Sequence, residues 1–143
     1  MIKKIVILLL SVMTILMLSA CGGGRPEIED YEWKMRSIVH IKDNQVVYDA
    51  VSEEHASYPE AKIIDMKLVA KDGKILITDI TNNMTYEGSY SVSGKNPKGT
   101  DYNITIDGKS GYAGVAMTTY ADGTKEPTLP ISLQGYSMYF YSN

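Results

Sequence analysis

Lys62-Ile63-Ile64-Asp65-Met66-Lys67-Leu68-Val69-Ala70-Lys71-Asp72-Gly73-Lys74-Ile75-Leu76-Ile77-Thr78-Asp79-Ile80-Thr81 is the stretch whose reading decides the fold. Ile64, Met66 and Leu68 recur at every second residue, which places them on one face of an extended chain; a helix would repeat at three and four. Asp72-Gly73 suits the positive φ angles of a two-residue hairpin turn. Lys74 to Thr81 runs back with Ile75, Leu76, Ile77 and Ile80. The stretch therefore predicts an antiparallel hairpin.

The same grammar continues downstream. Asn82-Asn83 is a turn, and Met84 to Ser93 sets Tyr86, Tyr90 and Val92 against Glu87, Ser89, Ser91 and Ser93. Gly88 lies on the aromatic face, where a bulge or bend is expected. Residues 94–99 read as a loop. Tyr102, Ile104 and Ile106 then oppose Asp101, Asn103, Thr105 and Asp107, and Asp107-Gly108 turns the chain. Tyr112 to Tyr120 follows as a strand rich in small residues (Gly111, Ala113, Gly114, Ala116), and Asp122-Gly123 opens another turn. A short strand over Leu129–Ser132, a turn at Gln134-Gly135 and a strand over Tyr136–Tyr141 finish the chain.

Upstream, simple alternation groups Trp33, Met35, Val39 and Ile41 on one face, with Lys34, Arg36 and His40 on the other. Asp43-Asn44 is a turn and Gln45 to Val51 a second strand. Ser52 to Glu60 breaks the rhythm as a polar loop or a single helical turn. Eight or nine strands at even spacing, without an amphipathic helix, predict an all-β fold. Hairpin-length connections favour an antiparallel up-and-down meander. Such a meander removes its free edges by closing into an eight-stranded barrel.

The first 20 residues form a separate unit. Lys3 and Lys4 precede an apolar run from Ile5 to Leu18, and Ser19-Ala20 supply small residues before a cleavage point. The run is shorter than the ~20 residues that cross a bilayer, so it reads as an export signal. Leu18-Ser19-Ala20-Cys21 resembles the lipobox of bacterial lipoproteins, Leu-x-[Ala/Gly]-Cys. The resemblance implies that Cys21 receives a diacylglyceryl group, becomes the new N-terminus, and anchors the chain in the outer leaflet of the bacterial cytoplasmic membrane. Cys21 is the only cysteine, so the exported part forms no internal disulfide. The expected organisation is a signal peptide over 1–20, a flexible lipid-anchored tether over 21–32, and a barrel domain over 33–143.

Several segments together resemble the small lipocalin-like (calycin-like) lipoproteins of clostridia-type Gram-positive bacteria. They are Tyr86-Glu87-Gly88-Ser89-Tyr90, Tyr102 to Gly108, Gly111-Tyr112-Ala113, Thr119 to Thr124 with Pro127-Thr128-Leu129, and Tyr136-x-Met138-x-Phe140. The lipocalin Gly-x-Trp pattern is not met, since Tyr31 precedes Trp33 where glycine would stand. The resemblance implies a lipocalin-like barrel and names no activity.

The residues give little support for catalysis. His40 and His55 are the only histidines, and no Gly-x-Ser-x-Gly elbow surrounds Ser110 or any other serine. Glu53, Glu54, His55 and Glu60 are adjacent loop residues that rarely converge on a metal, and the Asp-Gly pairs lack calcium-loop spacing. No metal, cofactor or enzymatic activity is expected. Loss of Lys3 and Lys4 would move the formal charge from −3 to −5, without the basic patch that nucleic acid needs. Tyr86, Tyr90, Tyr102 and Tyr112 alternate onto the faces read as inward. They either fill the barrel or line a cavity for a small apolar or amphipathic ligand. The alternative function is a protein-interaction module, an inhibitor, immunity or envelope-assembly factor. It would use rim loops at 52–60, 94–99 and 122–127.

Overall fold

The computed structural model describes residues 24–50 and 58–142. A three-residue 3-10 turn, Ile28–Asp30, precedes ten strands. These are β1 (Trp33–His40), β2 (Gln45–Asp49), β3 (Lys62–Ile63), β4 (Met66–Lys71), β5 (Lys74–Asp79), β6 (Met84–Asn96), β7 (Gly99–Ile106), β8 (Lys109–Thr119), β9 (Lys125–Leu133) and β10 (Tyr136–Ser142). Strands β4 to β10 pair in sequence order, and β1 closes the ring by pairing with both β10 and β4. The result is a closed eight-stranded antiparallel barrel in meander order, as the alternation predicted.

The turns supply the reason for the order. Asp72-Gly73, Asp107-Gly108 and Gln134-Gly135 all carry two consecutive positive φ angles, from 48 to 84°. That backbone twist matches the strands it joins. Residues 94–99 are not a loop. Strands β6 and β7 extend to Asn96 and Gly99, and the Asn96 Oδ1 accepts the Lys98 N–H at 2.9 Å and the Gly99 N–H at 3.2 Å. An asparagine carboxamide that ties the turn to itself makes a long connection unnecessary.

Strand β1 departs from simple alternation. The β1–β10 register shifts between Met35 and Ser37, a β-bulge that leaves Arg36 outside the pairing. A bulge inserts one residue and reverses the facing of everything after it. Ile38 is therefore 9 % exposed and joins the core, while Ile41, expected inside, is 53 % exposed. No bulge falls at Gly88, whose pairing is regular; a Cβ there would run into the Thr105 carbonyl, and the bulge in β6 falls between Val92 and Gly94.

Strand β2 pairs antiparallel with the far half of β1 and parallel with β3, while β4 pairs with the near half of β1. Strands β3 and β4 are thus one extended run interrupted at Ile64-Asp65, with β2 wedged between it and β1. The closed ring has eight strands, and at one end β2 and β3 are inserted where β1 and β4 part. Adding a strand at strand spacing widens that end, because barrel diameter grows with strand number.

The narrow end is packed solid. Trp33, Leu68, Leu129 and Phe140 are fully buried there, with Tyr102 at 1 %. Each such side chain contributes about 1.5–3 kcal/mol through burial. The segment expected to be a free tether over residues 21–32 takes part in this packing from Glu27 onward. Ile28 is fully buried. Its N–H donates to the Tyr102 Oη at 3.1 Å, and its carbonyl accepts the Trp33 indole N–H at 2.8 Å. Lys95 pairs with Glu27 at 2.7 Å and Lys67 with Glu32 at 3.2 Å. Glu29 accepts the Asp72 N–H at 2.9 Å. A short plug carries no periodicity, so composition alone reads it as linker; an apolar Ile28 among acids that find partners makes it a stopper. Cys21 lies outside the described residues.

Candidate functional site

The wide end of the barrel holds a hollow. Ile38 reaches it through the β1 bulge, Tyr48 through the wedge strand β2, Ile64 from the β3–β4 break and Met66 from the start of β4. Ile77, Tyr86, Ile106, Leu133 and Met138 complete the apolar lining of a cavity of about 310 Å³. A broader hollow of about 730 Å³ shares Ile38, Tyr48, Tyr86, Lys109, Leu133 and Met138 with it and opens past Val46, Lys62 and Tyr136. Small-molecule sites fall in this size range and are mostly apolar with a few polar groups. Met66 and Met138 add unbranched, polarizable side chains that accommodate varied shapes.

Two polar features stand at the rim. Asp79 is 2 % exposed, and its two oxygens accept from the Asn82 N–H at 2.9 Å and the Asn82 Nδ2 at 2.7 Å. That carboxylate holds the β5–β6 turn at the edge of the mouth. Lys109 pairs with Ile106, which faces inward, and so its side chain lines both hollows.

The four tyrosines separate. Tyr86 lines the mouth and is half-buried. Tyr102 and Tyr90 belong to the plugged half, with their rings edge to face at 5.6 Å between centroids. Burial raises the Tyr102 phenol above its ordinary value. The Tyr90 hydroxyl donates to Glu29, and burial first, then that hydrogen bond, pushes its phenol up to about 12. These two rings hold the plug and are remote from the mouth lining. Tyr112 does not face inward: it is 70 % exposed. It pairs with Asn103 across β7–β8 and with Ser132 across β8–β9, both on the outer wall, while the inward position opposite Tyr102 is Ala113. With Ser91, Asn103 and Ser110, Tyr112 borders a polar outer groove of about 380 Å³.

No family model, curated protein or solved structure matches the chain. His40 sits at the wide end, where its Nδ1 lies 2.9 Å from the Asp43 Oδ1 and its ring is 5.2 Å from that of Tyr136. The His40 hydrogen bond, followed by that from the Gln45 N–H, holds the Asp43 carboxyl below its ordinary value. These contacts hold the β1–β2 turn. Glu53, Glu54 and His55 lie outside the described residues. Among the described residues, no three His, Cys, Asp or Glu side chains gather as a metal site.

Sequence alternation missed Ile38 and Tyr48 as lining residues, because one depends on the bulge and the other on the wedge. Met138 and Leu133 carried a usable signal. Both flank the Gln134-Gly135 turn, which the strand order puts at the same end as the Asn82-Asn83 and Asp107-Gly108 turns.

Proposed function

We propose that this chain is a non-enzymatic, lipocalin-like lipoprotein. It is anchored through a diacylglyceryl group on Cys21 at the outer leaflet of a bacterial cytoplasmic membrane, and it binds a small apolar or amphipathic ligand in its wide mouth. The observation that carries the ligand reading is the division of the barrel interior: solid around Trp33 and Phe140, hollow around Ile38, Met66 and Met138. Were the interior only a core, burial would favour packing it throughout. An apolar tail would lie against Ile77 and Ile106, with a polar end at Lys109. The anchor reading is supported by Leu18-Ser19-Ala20-Cys21 behind the basic and apolar segments.

Protein recognition by rim loops has less support, since residues 94–99 form a tight turn at the opposite end. Mass spectrometry of protein purified from its native envelope tests both parts. An acylated Cys21 and a stoichiometric small molecule released on denaturation are expected. An unmodified cysteine overturns the anchor, and release of nothing, with no uptake from a panel of fatty acids and apolar dyes, overturns the ligand.

A further inference from the structure

We infer that the mouth points away from the membrane that holds the protein, so that its ligand arrives from the aqueous side and not from that bilayer. The inference rests on the anchor reading above and deepens it. Its basis is the plug. Glu27, Ile28, Glu29 and Glu32 are tied respectively to Lys95, Tyr102, the Asp72 N–H and Lys67. The ties of Glu27 to Lys95 and of Glu29 to the Asp72 N–H lie at the narrow end, and so the chain leaves the barrel opposite the mouth.

The free length is then set by covalent geometry. Cys21 and Glu27 are six residues apart, and a fully extended chain covers at most about 3.5 Å per residue, roughly 21 Å in all. The barrel is about as long as that reach. Lys95, which fixes Glu27, and Tyr86, which lines the mouth, lie nine residues apart on β6. At ~3.3 Å per residue that is about 30 Å along the strand, or roughly 23 Å along the axis of a barrel whose strands tilt about 40°. To set the mouth on the headgroups, the tether would have to cross the rim and descend the whole outer wall. The axial drop uses most or all of that reach, and the crossing of the rim takes the path beyond it. A truly free tether over residues 21–32 would have removed this constraint; the plug imposes it.

The turns of the barrel provide the test without disturbing the core. Gly73, Lys98 and Gly123 mark turns at the plugged end, and Asn83, Gly108 and Gly135 mark turns at the mouth. Protein spanning residues 21–143 is coupled through Cys21, its only thiol, to a maleimide lipid in nanodiscs that carry gadolinium-chelated headgroups. Amide NMR signals are then read for paramagnetic broadening. Selective broadening of Gly73, Lys98 and Gly123 is expected, and a variant with twelve Gly/Ser residues inserted between Gly24 and Arg25 should lose that selectivity. Broadening of Asn83, Gly108 and Gly135 equal to or greater than that of the plugged-end set in the native-length protein overturns the inference. Because the coupling is chemical, the orientation result is independent of whether the cell acylates Cys21. The mass of the native protein answers that second question separately.

Discussion

Replacing Tyr102 with Phe removes one oxygen and leaves the ring in place. Tyr102 is 1 % exposed, and its Oη accepts the N–H of the fully buried Ile28 at 3.1 Å. The substitution leaves that backbone donor buried without a partner, which costs about 1–3 kcal/mol. At this chain length each kcal/mol corresponds to a Tm change of roughly 4 °C, so the variant should melt about 4–12 °C lower. The denaturant midpoint should fall with an unchanged slope, and the Ile28 amide should lose hydrogen-exchange protection ahead of the strands. Tyr112→Phe is the control: it makes the same chemical change on a ring that is 70 % exposed, and should stay within about 0.5 kcal/mol of the parent. Equal effects for the two variants, or an unchanged exchange rate at Ile28, would refute the claim that Tyr102 holds the plug.

Other outcomes follow from the same contacts. The Tyr90 phenol is raised from 10.0 to about 12, so its contribution to stability is fully present below pH 10 and disappears as pH climbs through 12. Ultraviolet titration of Tyr90→Phe should lack one late-ionising phenol, and Glu29→Gln should lower the Tyr90 value only in part, since burial is the larger cause. Asp43 behaves in the opposite sense: its carboxyl is held below 3.8, so its contribution is present above that pH and lost as pH falls through its folded value. Carbon NMR of His40→Ala should show the Asp43 titration moving upward. Gly99→Ala would drive a Cβ into the Val115 carbonyl, whereas Gly114→Ala meets only the Asp101 Oδ1 at 3.2 Å. Thermal melts should show a loss on the order of 1–3 kcal/mol for the former and a smaller one for the latter.

Much of the barrel was legible because the turns announce themselves. Asp72-Gly73, Asp107-Gly108 and Gln134-Gly135 sit between alternating runs, and a meander joined by such turns closes by pairing its ends. The face of Tyr112 was also within reach. A two-residue turn at Asp107-Gly108 sets Ile106 opposite Lys109, and counting back sets Asn103 opposite Tyr112. Asn103 already read as outward, and cross-strand partners share a face. The β1 bulge left no comparable mark: Arg36 and Ser37 are ordinary strand residues, and the extra residue is accommodated by β10, far away in sequence. The plug was hidden for a different reason. Three residues of 3-10 helix have no period, and the partners of Glu27, Ile28 and Glu29 lie more than forty residues distant. The wedge of β2 between β1 and β3 is likewise a tertiary event, and it is what opens the mouth.

The central claim is that a solid plugged half supports a hollow, ligand-accepting mouth. The most direct measurement is a fluorescence titration of 1-anilinonaphthalene-8-sulfonate against the parent protein and Met138→Trp, whose larger ring should fill the space among Ile38, Leu133 and Tyr86. Saturable one-to-one binding by the parent, abolished in Met138→Trp at an unchanged melting temperature, is the predicted result. No saturable binding by the parent, or equal binding by an equally stable Met138→Trp, would contradict it.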